Sequence, residues 1–177
     1  MNSTVQTPYS ASLLPEVGEW AAARTGARWE KCVQEYLDQR SIATYVPLVL
    51  RRKVYNGRAR ENWVPLFSGY VFFDSANLDP TTLYGCRKIA QVLRAEHPEE
   101  LRADLENVAR VLHSEPRLRQ SRIGEPGALV TITGGPMKDV QGVLVRYGSQ
   151  HKLVISVRFL GATAELDIDE ARVESCR

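Results

Sequence analysis

Apolar positions change their spacing several times along the chain, and each change marks an element. "GEWAAART" (18–25) reads as a short strand leading into a helix. From Arg28 to Arg40 the larger apolar residues Trp29, Val33, Tyr36 and Leu37 recur at helical spacing, with Lys31, Gln34, Glu35 and Asp38 elsewhere, which predicts an amphipathic helix. "IATYVPLVLRRKVYNGRARENWVPLF" then holds β-rich runs on either side of Asn56-Gly57. That dipeptide is the favoured two-residue hairpin turn, because both residues tolerate positive φ. Pro47 and Pro65 cannot donate to a ladder and mark strand edges or bends. "FSGYVFFDS" is the next strand, and Asp79-Pro80 opens a short helix, proline being suited to the first helical position. "KIAQVLRA" (88–95) is strand-like. A second long helix is expected from Pro98 to Pro116, with Glu99 and Glu100 favouring its positive start and a stripe of Leu101, Leu105, Val108, Ala109 and Leu112. The N-terminal unit is therefore expected to run β-α-β-β-α-β-α, a sheet with helices laid on it.

"SEPRLRQSRIGEPG" (114–127) breaks both periodicities and is expected to contain a linker. Beyond it come "ALVTIT", "GVLVRY", "KLVISVRFL", "TAELDI" and a short "ARV", five brief strands separated by turn residues, the pattern of a small β-barrel. Residues 1–15 have little periodicity. The expected organisation is α+β: a flexible N-terminus (1–15), a sheet-and-helix domain (16–115), a linker (116–124) and a barrel (125–177).

Composition narrows the function classes. The chain is 44% hydrophobic and 25% charged, as ordinary soluble domains are. No apolar run approaches the roughly 20 residues of a membrane span, and Met1 to Pro15 lacks the basic start and apolar stretch of a secretory signal. Cys32, Cys86 and Cys176 lie far apart with no CxxC spacing, which argues against disulfides or zinc and fits a reducing cytoplasm. Between Arg24 and Arg60 nine Lys/Arg face only Glu30, Glu35 and Asp38, whereas the C-terminal end is acidic. A basic N-terminal half points to a nearby polyanion, with a solvated charged surface as the alternative. Catalytic chemistry is not visible. His97, His113 and His151 are isolated, "GGPMKD" lacks the phosphate-loop spacing, and the acid pairs Glu99/Glu100 and Asp169/Glu170 are adjacent and so diverge. No enzyme activity, metal or cofactor is expected.

Four stretches in order carry a family likeness: Trp20 followed by a helix near Arg28; "PLFSGYVFF" (65–73); "EPGALVTITGGPMKDVQGVLV", with its Gly142; and "VRFLGATAELDIDEARVE". Together they resemble the NusG family of transcription elongation factors, in which a NusG N-terminal domain precedes a five-stranded SH3-like KOW barrel. The chain departs from the family signature at Ser68, where proline is common and would pre-set the bend before Gly69. The resemblance implies docking on the coiled-coil clamp helices of RNA polymerase's largest subunit. It assigns Tyr70 and Phe72 to the polymerase face and Phe67 to its rim, with Val71 and Phe73 packed under helices, since alternate strand residues face opposite ways. It also implies that the KOW domain reaches a small-subunit ribosomal protein or the termination factor Rho, with Met137, Phe159 and Leu160 as exposed apolar contacts.

Some details resemble the specialised, RfaH-like members rather than the general factor. "LDPTTLYGCRKI" (78–89) is similar to the segment that contacts the polymerase gate loop through His-Thr-Thr; Thr81 and Thr82 match, while Asp79 replaces the histidine. Arg87 falls where such proteins meet the non-template DNA strand, Lys88 follows it, and Arg24 and Arg28 are placed where the same strand would pass. The hairpin cations Arg51, Arg52, Lys53, Arg58 and Arg60 are either a contact to upstream duplex DNA or a solvated surface. The C-terminal strands are β-branched and regular, which favours a barrel over the helical hairpin that RfaH's counterpart can adopt. The expected protein is a monomeric, cytoplasmic elongation or antitermination factor with no membrane partner. The alternatives are a housekeeping NusG and a ribosome-associated KOW protein, which would not need the N-terminal half.

Overall fold

The computed structural model describes residue 14 and residues 18–76, 78–114, 119–121, 128–132, 138, 140–147, 150–160, 162–167 and 173–175. The N-terminal elements are β1 (Trp20–Thr25), α1 (Glu30–Asp38), β2 (Thr44–Tyr45), β3 (Leu48–Tyr55), β4 (Arg58–Pro65), β5 (Tyr70–Asp74), α2 (Pro80–Tyr84), β6 (Ile89–Arg94) and α3 (Pro98–Ser114). Between the first two helices, where the two hairpin arms and "FSGYVFFDS" are expected as strands, the structure has four. Pro47, without an N–H, separates β2 from β3, and a turn beyond Pro65 separates β4 from β5.

Four strands form an antiparallel sheet in the order β2-β5-β1-β6, while β3 and β4 pair only with each other. Directly opposite residues share a sheet face. Ala22 lies between Phe72 and Leu93, and Arg24 between Tyr70 and Gln91, so these six line one face. Ala21 and Ala23, with Phe73 and Val71, line the other. Both faces are covered. Ala21, Ala23, Val71 and Phe73 pack with Val33 and Leu37 of α1 and with Leu83 and Cys86. Trp20, Ala22, Phe67 and Phe72 pack with Leu101, Leu105, Val108, Val111 and Leu112 of α3. The alanine run in β1 leaves room for this, because small side chains on a central strand let both layers approach closely.

The C-terminal region has β7 (Arg119–Ser121), β8 (Ala128–Ile132), β9 (Gln141–Tyr147), β10 (Gln150–Val157), a 3-10 turn (Arg158–Leu160), β11 (Ala162–Asp167) and β12 (Val173–Ser175). They form one sheet in the order β12-β8-β9-β10-β11-β7. The five strands expected of a small barrel are β8 to β12. The sixth, β7, falls in the expected linker, where Arg119–Ser121 pair with Thr163, Ala164 and Glu165 of β11. This sheet meets α3: β10 and the 3-10 turn contact the helix. Val140 and Val157 are buried in the same cluster as its leucines and valines, and Phe159 and Leu160 lie half-buried against that cluster. Along α3 the buried positions are Leu101, Asp104, Leu105, Val108, Val111 and Leu112. That stripe is broad, as suits a helix packed between two layers. Among the described residues no helix is long and apolar enough to cross a membrane.

Candidate functional site

The signature turn that precedes β5 is built around Gly69, whose φ of 83° only glycine adopts readily. Tyr70 N–H donates to the Phe67 carbonyl at 3.3 Å, closing a four-residue turn with glycine at its third position, as a type II turn requires. Proline is common at the second position of that turn, which is where Ser68 stands. Two further bonds fix the turn. Gly69 O accepts from Thr25 N–H at 2.8 Å, and Gly69 N–H donates to the Glu30 carboxylate at 2.6 Å. Glu30 is 3% exposed and opens α1, where the helix dipole favours a negative charge. Sequence reasoning missed this lock, because a lone glutamate at a helix start carries no signal of a partner far along the chain.

The three aromatics assigned to a polymerase face are placed differently from one another. Phe72 is 0% and Phe67 2% exposed, and their rings meet edge-to-face at 6.3 Å between centroids. Neither presents surface to a partner, so the expectation of an exposed rim at Phe67 and an exposed face at Phe72 is corrected. The reason is a closed cluster on that side of the sheet, to which the apolar stripe of α3 and Val140 and Val157 of the C-terminal region all belong. Tyr70 is half-buried at the margin of the same cluster, together with Tyr45 and Val64. Val71 and Phe73 lie against α1, as anticipated.

The basic candidates gather at the opposite end of β1 from Trp20. Thr25 pairs with Ile89, the first residue of β6, so the loop after β1 and the Arg87-Lys88 step share one edge. Arg28 takes the left-handed conformation at φ 72°, uncommon for a non-glycine residue. Beside it Trp29, the N-cap of α1, remains 42% exposed. The Lys88 ammonium sits 3.7 Å from the centre of its indole, a cation–π contact. Gly26 allows this, since a Cβ there would lie 3.1 Å from Trp29 Cδ1. Tyr84, at the end of α2, is 82% exposed. Sequence reasoning placed Trp29 on the buried stripe of α1 and so did not name it. The structure therefore brings Arg28, Trp29 and Lys88 together, with Arg87 adjoining. Arg24 is set apart on the α3 side of the sheet, across the ladder from Tyr70.

The Thr81 side chain is bonded locally, and the Thr82 backbone carbonyl is bonded across to α1. Asp79 caps α2, accepting from Thr81 N–H at 2.9 Å and from the Thr81 hydroxyl at 2.6 Å. These donors, the hydroxyl first, hold its carboxyl below the usual aspartate range. The Thr82 carbonyl accepts from the Tyr36 hydroxyl at 2.8 Å, tying α2 to α1. Gly85 makes that approach possible, because a Cβ there would collide with the same hydroxyl. In the C-terminal region Phe159 and Leu160 lie against the α3 cluster rather than standing free, and Met137 falls outside the described residues. Among the described residues no group of three or more His, Cys, Asp or Glu could hold a metal ion.

The family model described as "Transcription termination factor nusG" matches residues 18–111, more than half of the chain. No curated protein matches the sequence. Among solved structures the chain is similar to Thermotoga maritima NusG, in a structure concerned with its domain interaction, at 15% identity and a TM-score of 0.45, covering 91% of this chain and 98% of that one. It is also similar to the MjSpt4:Spt5 complex in its conformation B, at 14% identity and a TM-score of 0.29, covering 88% of this chain and 95% of that one. Those structural likenesses add nothing to the assignment, which rests on the matched residues 18–111. The chain belongs to the NusG family of transcription factors.

Proposed function

We propose that the protein is a transcription elongation or antitermination factor that docks on the clamp helices of RNA polymerase through the margin of its sheet. The observation that carries this reading is that Tyr45, Val64 and Tyr70, the last directly following the signature turn, stand half-buried against the cluster that holds Phe67 and Phe72. A shallow apolar rim over a fixed turn suits a helix laid into a groove. Phe67 and Phe72 support that rim from beneath. The C-terminal region serves, in this reading, to recruit a small-subunit ribosomal protein or Rho. The Arg28, Trp29, Arg87 and Lys88 edge supports a specialised, operon-directed role, because cations beside an exposed aromatic suit a single DNA strand. One observation favours the general factor instead: the Thr81 hydroxyl is already bonded to Asp79 where a free His-Thr-Thr contact is expected.

Tyr70→Ala is expected to weaken binding to a clamp-helix fragment by about 1–3 kcal/mol, roughly fivefold to 150-fold, with an unchanged circular dichroism spectrum. Wild-type affinity in the folded variant would overturn the docking surface. On a reconstituted elongation complex, a specialised factor loses occupancy when the non-template strand is scrambled or when Arg87 and Lys88 are both alanine. Equal occupancy in every case returns it to the general class.

A further inference from the structure

β7 is a strand that its own sequence does not call for. Arg119, Gln120 and Ser121 are all polar, and none is among the residues enriched in strands. What holds the segment is its ladder: Arg119 faces Glu165, Gln120 faces Ala164 and Ser121 faces Thr163. β7 lies at the end of the sheet, with β11 as its one neighbour. Its pairing covers three residues of β11, whereas β10 pairs with all of Ala162–Asp167 on the other side. So short a ladder at a sheet edge opens at lower cost than the sheet it extends.

The place of β7 in the chain gives that opening a consequence. α3 ends at Ser114 and β8 begins at Ala128. While β7 is paired, the connection from the helix to the sheet runs from 114 to 119, five steps that reach at most about 17 Å. With β7 unpaired it runs from 114 to 128, fourteen steps that reach about 48 Å. The C-terminal sheet rests on that same helix through β10 and the 3-10 turn. Val157, the last residue of β10, is 0% exposed within the cluster that holds the leucines and valines of α3. A contact between tethered bodies weakens as the tether lengthens, because effective concentration falls roughly as the −3/2 power of length. From five steps to fourteen the loss is about fivefold.

We propose that β7 is a latch: paired with β11 it holds the C-terminal sheet against α3, and unpaired it frees the sheet on a tether about three times as long. The register suits this role, since it sets Arg119 across from Glu165, and opposite charges at facing positions favour strand pairing. Opening the latch does not dismantle the sheet, because β12, β8, β9, β10 and β11 remain paired in that order. The latch acts in the free protein and does not rest on docking to polymerase.

The test uses the full chain carrying Val157→Cys, whose thiol becomes reactive when the sheet leaves α3. Successive N–H groups of an antiparallel strand point to opposite sides. Of Gln120→Pro and Arg119→Pro/Ser121→Pro, one therefore removes the donors that face β11, and the other removes outward donors, where an edge strand tolerates proline. The substitution facing β11 is expected to speed amide exchange at Thr163–Glu165 and to raise the labelling rate at position 157 about fivefold. The outward substitution is expected to change both less. Cys86, buried in the cluster on the α1 side, serves as the internal control and should label at one rate throughout. Faster exchange at Thr163–Glu165 without faster labelling at position 157 would overturn the proposal, because β7 would then hold nothing. Exchange at Thr163–Glu165 that neither substitution changes would overturn it too, because β7 would not be paired in solution.

Discussion

β5 and the hairpin that precedes it are neighbours in the chain and opposites in what holds them. In β5, Val71, Phe72 and Phe73 are each 0% exposed, because helices cover both sides of the sheet. The hairpin has its own two-stranded ladder and pairs with no other strand. A lone hairpin is marginal in water; this one is anchored at its base, where Val49 is buried and Leu66 N–H donates to the Pro47 carbonyl at 2.7 Å. Residue choice in β5 is therefore dictated by packing, and residue choice along the outer hairpin is not. An aromatic in the first region says little about a partner, whereas the charges of the second are not selected by packing.

The largest expected effect tests the buried side of that contrast. Phe72→Ala should destabilise the protein by about 3–5 kcal/mol, read by chemical denaturation, as large-to-small changes in a closed core do. The hairpin variant R51Q/K53Q/R58Q/R60Q should lose no stability, since it removes repulsion, such as that of Lys53 facing Arg60, and no packing. A Phe72→Ala protein of near wild-type stability would mean that Phe72 faces solvent, and the exposed aromatic face implied by the family likeness would return.

A smaller effect is expected where the two regions join, at the turn between β4 and β5. Glu30→Ala removes the acceptor of the Gly69 N–H and leaves a buried donor unpaired, a cost of about 1–3 kcal/mol. Glu30→Gln keeps an acceptor and should cost less. If both substitutions are silent in denaturation, the turn is held by its other bonds alone, and Tyr70 owes its position to β5 and not to α1.

What was legible in the sequence follows the range of each signal. The hairpin turn at Asn56-Gly57, the alternation along β5 and the stripe of α3 are local patterns, and each appears where expected. Period-two alternation shows that Tyr70 and Phe72 share a face; it does not show what closes the cluster on that face, in which α3 and Val140 and Val157, all far along the chain, take part. Trp29 fits a helical stripe on paper, yet α1 begins one residue later, so the indole belongs to the loop. Arg119–Ser121 hold no apolar alternation and become a strand only because β11 offers an edge. The bond from Gly69 to Glu30 needed the tertiary contacts.

The smallest expected effect sharpens the contrast from the other side, because an exposed residue can still be committed. Thr81 is exposed, yet both its N–H and its hydroxyl donate to Asp79. Those two bonds favour the ionised carboxylate, so Asp79 titrates below its ordinary value in the folded protein. The sign follows: the cap's contribution is present above the unfolded-state pKa and is lost as pH falls through the depressed folded value. Asp79 is fully exposed, so the consequence is local fraying of the short α2 rather than global unfolding. In an NMR titration the Thr81 amide should shift with a midpoint below that of Asp79 in an unfolded peptide. Asp79→Asn should abolish that transition while keeping an acceptor for the Thr81 amide. A midpoint at or above the peptide value would mean that Thr81 does not donate to Asp79, leaving its hydroxyl free for the gate-loop contact of the specialised factors.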